Sequence, residues 1–154
     1  MPDAKDNVQT LNELYQTIKS LRSSSSLEEF GKFAAFFTED CRTWLKGMRE
    51  HAVPAVGRQA AIDKLKEIMG DRYWRLDERT VLSSSTTADA EGSKVFCETT
   101  KRLVLHGQVL DPWYETEVAV FTPDGLIKDF KLYCCWSPIA SMIQDITGVG
   151  PYKR

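Results

Sequence analysis

The hydrophobic pattern of this chain changes period once, near residue 73. Before that point apolar residues recur at steps of three and four, the spacing that lines one face of an α-helix. After it they alternate, the spacing that lines one face of a strand. A chain written in that order places its helices first and then a run of consecutive strands. The layer solution is an α+β domain, with helices covering one face of an antiparallel sheet. At 154 residues, a single domain spanning 1–154 has enough chain to bury a sizeable core.

The helical third is readable residue by residue. Val8, Leu11, Leu14, Ile18 and Leu21 make one apolar stripe, with Tyr15 beside it. The Ser23–Ser26 run ends that stripe. Ser26 followed by Glu29 reads as a capping box opening a second helix, whose buried face is Leu27, Phe30, Phe33, Ala34 and Phe37. Residues 41–48 read as a strand, and 49–56, with Pro54, as a loop. A third helix follows Gly57, with Ile62, Leu65 and Met69 on one side and Gly70 as its stop.

From Tyr73 onward the candidate strands are 73–85, 94–106, 113–122 and 126–136. The turn signals between them are Ala90-Glu91-Gly92, Gly107 with Asp111-Pro112, and Pro123-Asp124-Gly125. A short helix and a tail occupy 137–154. A curved sheet with helices on its concave side encloses a pocket rather than a solid core, and that connects the fold to a function.

Bulk properties remove several function classes. The net charge is −2 with the cations scattered, which gives no footprint for nucleic acid or an anionic membrane surface. No apolar run is long enough to span a bilayer as a helix. Met1 to Asp6 lacks a signal peptide's pattern. The cysteines, Cys41, Cys97, Cys134 and Cys135, form no CxxC pair, so reduced thiols and a cytoplasmic setting are expected. Two distant histidines, His51 and His106, argue against a zinc site, and no cofactor is expected.

Three segments carry a family resemblance. Phe36-Phe37-Thr38-Glu39-Asp40 resembles a helix end and acidic turn, Gly57-Arg58-Gln59-Ala60-Ala61-Ile62 the opening of a third helix, and Phe121 to Tyr133 (FTPDGLIKDFKLY) a hairpin. Together with the element order they resemble NTF2-like proteins, and among them the SnoaL-like polyketide cyclases and isomerases. The resemblance implies a cone-shaped α+β fold in which three helices of the N-terminal half and a curved antiparallel sheet enclose a pocket. It also implies a homodimer formed through the sheet.

The same resemblance locates a site. In ketosteroid isomerase an acidic oxyanion-hole residue lies eight positions before the hairpin glycine. Counting back from Gly125 gives Glu117, and alternation puts Glu115, Ala119 and Phe121 on its face. On the next strand Phe130, Leu132, Cys134 and Trp136 then face in, and Asp129, Lys131 and Tyr133 face out. Thr43 and Leu45 face in from the first strand. The isomerase's general-base position falls on Leu45, so steroid isomerase chemistry is not expected. Leu132 replaces an acid that an epoxide hydrolase's Asp–Arg–Asp arrangement needs.

Each candidate has a plain structural reading beside its chemical one. Glu117 is a general acid beside the apolar run Val118–Phe121, or a strand residue paired with a cation. Tyr15 is an oxyanion donor or boundary packing. His51 is a proton shuttle at the pocket mouth or a solvated loop residue. Arg42 binds a carbonyl or carboxylate if the first strand slips by one residue; otherwise it is a surface cation. Tyr114, with Trp113 and Trp136, offers aromatic surface to the cavity or to the sheet's dimer face, and Cys134 and Cys135 read as inert thiols. The expected function is cofactor-independent isomerisation or cyclisation of a small hydrophobic organic substrate, polyketide-, terpenoid- or alkaloid-like, in secondary metabolism. A dehydratase and a non-catalytic binding or dimerisation module are the alternatives.

Overall fold

The computed structural model describes residues 4–46, 53–70 and 75–153. Its elements are α1 (Ala4–Ser20), α2 (Leu27–Ala34), β1 (Phe37–Lys46), β2 (Ala55–Val56), α3 (Arg58–Met69), β3 (Leu76–Ala88), β4 (Lys94–Leu105), β5 (Gln108–Phe121), β6 (Ile127–Cys134) and α4 (Ser137–Thr147). The six strands form one curved, unclosed sheet in the order β2-β1-β6-β5-β4-β3.

The sheet is mixed, where an antiparallel one was expected. The strands β3 to β6 pair antiparallel in sequence order, but β1 lies parallel to β6. Tight turns dictate the direction of consecutive strands. No such turn joins β1 to β6, so alternation alone leaves their relative direction open.

The helices form as their patterns require. Leu11, Leu14 and Leu21 of the first stripe are fully buried. The capping box is closed both ways: Ser26 N–H donates to Glu29 Oε2 at 2.7 Å and Glu29 N–H to Ser26 Oγ at 3.2 Å. The α2 helix stops at Ala34, and Phe37 opens β1 instead of closing the helix face. It is buried all the same, against Phe33 and Phe130. Gly57 caps α3 at φ 92°, a backbone conformation that suits glycine, and its N–H bonds Cys41 O at 2.8 Å. Arg58 then grips Phe37 O with Nε at 2.8 Å and Nη2 at 2.6 Å, tying α3 to β1. The Gly-Arg opening of this helix is therefore structural.

Two features of the sheet differ from the sequence reading. Residues Ala55 and Val56, expected in a loop, add a short antiparallel strand to β1. Between β4 and β5 the turn is only His106-Gly107, with Leu105 opposite Gln108 and both turn residues at positive φ. Asp111 and Pro112, read as turn residues, lie inside β5. There, two residues oppose the single Arg102, because Leu103 pairs with Leu110 and Lys101 with Trp113. This is a β-bulge, one of the few places where a strand tolerates proline.

The core has two parts. Helices α1, α2 and α3 close one end of the concave face over Phe30, Phe37, Val95, Ala119 and Ile127. The fourth helix covers the other end, where Leu76, Leu103, Leu105, Trp113 and Ile139 cluster. A polar group sits between them.

Candidate active site

The odd-numbered residues of β4 and the odd-numbered residues of β5 from Trp113 onward face the helices. Alternation therefore lines up Cys97, Thr99 and Lys101 beside Trp113, Glu115 and Glu117. Glu115 is 5% exposed, Glu117 2% and Lys101 7%. Buried charges survive when they are paired. The Lys101 ammonium bonds Glu115 Oε2 and stands 3.7 Å from Glu117 Oε1. Trp113 Nε1–H donates to Glu115 Oε1 at 2.8 Å.

That network divides the two carboxyls. Burial raises the pKa of Glu115, but the charges of Lys101 and Arg79 and the bonds from Lys101 and Trp113 outweigh it, so this carboxyl is held below its ordinary range. Burial, and then the charge of Glu115, push Glu117 up to about 8 despite Lys101. Glu115 is thus the anion of the pair and Glu117 the protonated partner at neutral pH. Glu117 Oε2 is buried with no hydrogen-bond partner among the described residues.

The Tyr15 hydroxyl, brought in by α1, stands beside Glu117 and Cys97. It too is buried without a hydrogen-bond partner. Burial, followed by the charge of Glu117, raises its pKa, so it is a neutral donor. Burial likewise raises the Cys97 thiol.

These groups meet at a cavity of about 120 Å³. Phe33, Phe37, Leu45, Leu65, Phe130 and Leu132 make its apolar wall, and Tyr15, Thr43, Arg79, Lys101, Glu115 and Glu117 stand among its polar residues. Two unsatisfied polar groups, the Glu117 carboxyl and the Tyr15 hydroxyl, therefore converge in an apolar chamber. This arrangement can move a proton and hold a developing negative charge.

Of the residues singled out by sequence, Tyr15, Thr43, Leu45, Glu115, Glu117 and Phe130 line this cavity. Tyr114 does not: it is 65% exposed on the outer face, one position out of step with Glu115. Arg42 is exposed as well, because the first strand presents Thr43 and Leu45 inward. Cys134 faces in opposite Glu115 but packs with Trp136 in the cluster under α4, away from this cavity. Burial, then the charge of Glu115, push the Cys134 thiol up to about 12. His51 lies outside the described residues.

Sequence reasoning missed Lys101 and Arg79 as site residues, and it read Trp113 as aromatic surface rather than as the donor to Glu115. Alternation through Cys97, Thr99, Lys101, Leu103 and Leu105 contained the signal for Lys101, a cation in an otherwise inward-facing series. Arg79 lies on an edge strand that is bulged twice and mostly exposed, where no alternation marks the inner face. Among the described residues no group of three or more His, Cys, Asp or Glu is placed to hold a metal ion. Among the same residues no helix is long and apolar enough to cross a membrane.

No family model and no curated protein matches the sequence. Solved structures do match the fold. An NTF2-like protein of unknown function from Burkholderia pseudomallei superposes with a TM-score of 0.70 at 15% identity, over 90% of this chain and 97% of that one. A candidate polyketide cyclase from Xanthomonas campestris gives 0.63 at 18%, over 89% and 98%. SalBIII, an epoxide hydrolase/cyclase-like enzyme with a role in pyran ring formation in the polyether salinomycin, gives 0.65 at 13%, over 89% and 96%. At such identities the likeness speaks for architecture: this chain has the NTF2-like fold, in a form shared with cyclase-like proteins.

Proposed function

We propose that this protein is a cofactor-independent isomerase or cyclase that works by acid–base chemistry on a polyketide-, terpenoid- or alkaloid-like intermediate of secondary metabolism. The observation that carries the reading is Glu117, a protonated carboxyl with a free oxygen in an apolar chamber beside the unpartnered Tyr15 hydroxyl. With its pKa near 8 the group gives up a proton to substrate and takes one back at neutral pH, the condition for general acid–base work. In an enolisation, the ionised form removes a proton from the carbon next to a carbonyl, and the Tyr15 O–H stabilises the enolate oxygen. The proton then returns at another carbon, so the step is balanced without a co-reactant. Phe33, Phe37 and Phe130 hold a flat skeleton in place for it. Elimination of water, the dehydratase variant, would use the same two groups.

Proton exchange provides the test. The α-hydrogens of 2-tetralone exchange in D2O, and NMR follows the rate. The protein should accelerate this exchange, and Glu117→Gln should cut the acceleration by about 10²–10⁴-fold. Full activity in that variant defeats the reading.

A non-catalytic module is the second reading, and the small size of the chamber favours it, since ligand pockets usually span about 300–1,000 Å³. It predicts binding of the probe without exchange. Either reading accommodates a homodimer through the outer sheet face, where Phe96, Tyr114 and Tyr133 are exposed. Tyr114→Glu should then halve the mass seen by light scattering. Four free thiols support a reducing, cytoplasmic setting.

A further inference from the structure

A second cavity, of about 210 Å³, lies on the far side of Tyr15, between α1 and the strands β3 and β4. Tyr15, Arg79 and Lys101 line both cavities and form the wall they share. The lining of the second is electrostatically one-sided. It holds Lys19, Arg79 and Lys101 and no carboxylate; its other polar groups are neutral, among them Gln16 and Thr99.

Arg79 is the unusual member. Its Nε is buried with no hydrogen-bond partner, and no carboxylate among the described residues forms an ion pair with it. Lys101 is already committed to Glu115. Burial lowers the pKa of Arg79, the charge of Glu115 opposes this from a distance, and Arg22 adds a repulsive charge nearby. Thr99 Oγ1, on the same wall, is likewise buried and unpartnered. A desolvated guanidinium without a hydrogen-bonded counter-ion is costly, by several kcal/mol in general. Its planar fork matches the two oxygens of a carboxylate. With Glu117 protonated, the inner cluster of Arg79, Lys101, Glu115 and Glu117 carries one uncompensated positive charge. A monoanion balances it.

We propose that the substrate is an organic acid whose carboxylate docks on Arg79 and Thr99 in this second chamber while its apolar skeleton lies past Tyr15, against Glu117. The inference deepens the acid–base reading and rests on it for the second half of that sentence. It also accounts for the size of the apolar chamber, because the two cavities together fall within the usual range for ligand pockets.

The test is a matched pair of probes, 2-naphthoate and methyl 2-naphthoate, titrated calorimetrically into the full chain. The acid should bind at least about tenfold more tightly than the ester, the effect of one charge-assisted contact. Arg79→Gln should remove the preference, and Arg79→Lys should keep part of it. Equal affinity for the two probes overturns the proposal, as does no binding of the acid at ~1 mM or a preference that survives Arg79→Gln. If Arg79→Gln does not fold, as circular dichroism would show, the wild-type pair and Arg79→Lys still decide. The two readings fail separately: an intact acid preference without tetralone exchange defeats the catalytic reading alone, and exchange without the preference defeats the carboxylate site alone.

Discussion

Lys101 Nζ stands 3.7 Å from Glu117 Oε1 yet spends its hydrogen bond on Glu115, so one ammonium serves two buried carboxyls unequally. Burial and the charge of Glu115 therefore keep the proton on Glu117 despite the lysine. Removing the lysine would leave two carboxyls 5% and 2% exposed with only Arg79 nearby. Lys101→Met should therefore cost about 3–5 kcal/mol of stability in urea titrations, the usual penalty for breaking a buried pair. The double variant Lys101→Met, Glu115→Gln should recover part of the loss. A cost below about 1 kcal/mol would mean the pair is solvated.

The proton on Glu117 also sets a pH dependence of folding. Its folded-state pKa, about 8, exceeds the ordinary 4.5, so the folded state binds more protons between those values. Stability from this group is complete below pH 4.5 and is lost as pH rises through 8. The thermal midpoint should fall across that window, and Glu117→Gln should flatten the fall, leaving the variant about 1–3 kcal/mol more stable than wild type near pH 9. Glu115, whose pKa is lowered, contributes in the opposite sense and only below the window. A midpoint that rises toward pH 8 in wild type contradicts the protonated assignment.

Tyr15→Phe separates stability from function. The hydroxyl is buried without a partner, so its loss leaves folding unchanged or slightly improved. Proton exchange on the tetralone probe should nevertheless fall by about 10²-fold, the effect of one oxyanion donor. A variant that loses stability but keeps full exchange would reduce Tyr15 to packing.

The thiols should differ sharply in reactivity. Cys135 is exposed, while Cys41 and Cys97 are buried. Cys134 is half-buried, and burial pushes its pKa to about 12, which leaves almost no thiolate. A colorimetric disulfide reagent should modify one thiol at once and the other three only after urea is added. Fast labelling of two or more thiols would show that the cluster under α4 opens.

Much of this was legible in the sequence, for identifiable reasons. The family resemblance places Glu117 on the inner face, eight positions before Gly125, and alternation carries Glu115, Ala119 and Phe121 to the same face. Thr43, Leu45 and Phe130 followed by the same alternation. Phe37 was read as buried for the wrong element, since an apolar residue at a helix end satisfies either spacing. Arg42 is a candidate on a neighbouring frame and Tyr114 one for its aromatic surface, and the outer face takes both. The parallel direction of β1 and the inward aim of Arg79 depend on contacts between segments far apart in the chain, which no local pattern records.

The extra residue opposite Arg102 has a further consequence. Up to Leu110 the even-numbered residues of β5 face inward; beyond the bulge the odd-numbered ones do. Deleting one residue at Asp111–Pro112 would reverse that parity from Trp113 to Phe121. Tyr114, Thr116 and Val118 would enter the cavity, and both glutamates would move to solvent without a single site residue being substituted. The chemistry of this chamber is thus written partly as a count, and the fold stores that count in one unpaired position of one strand.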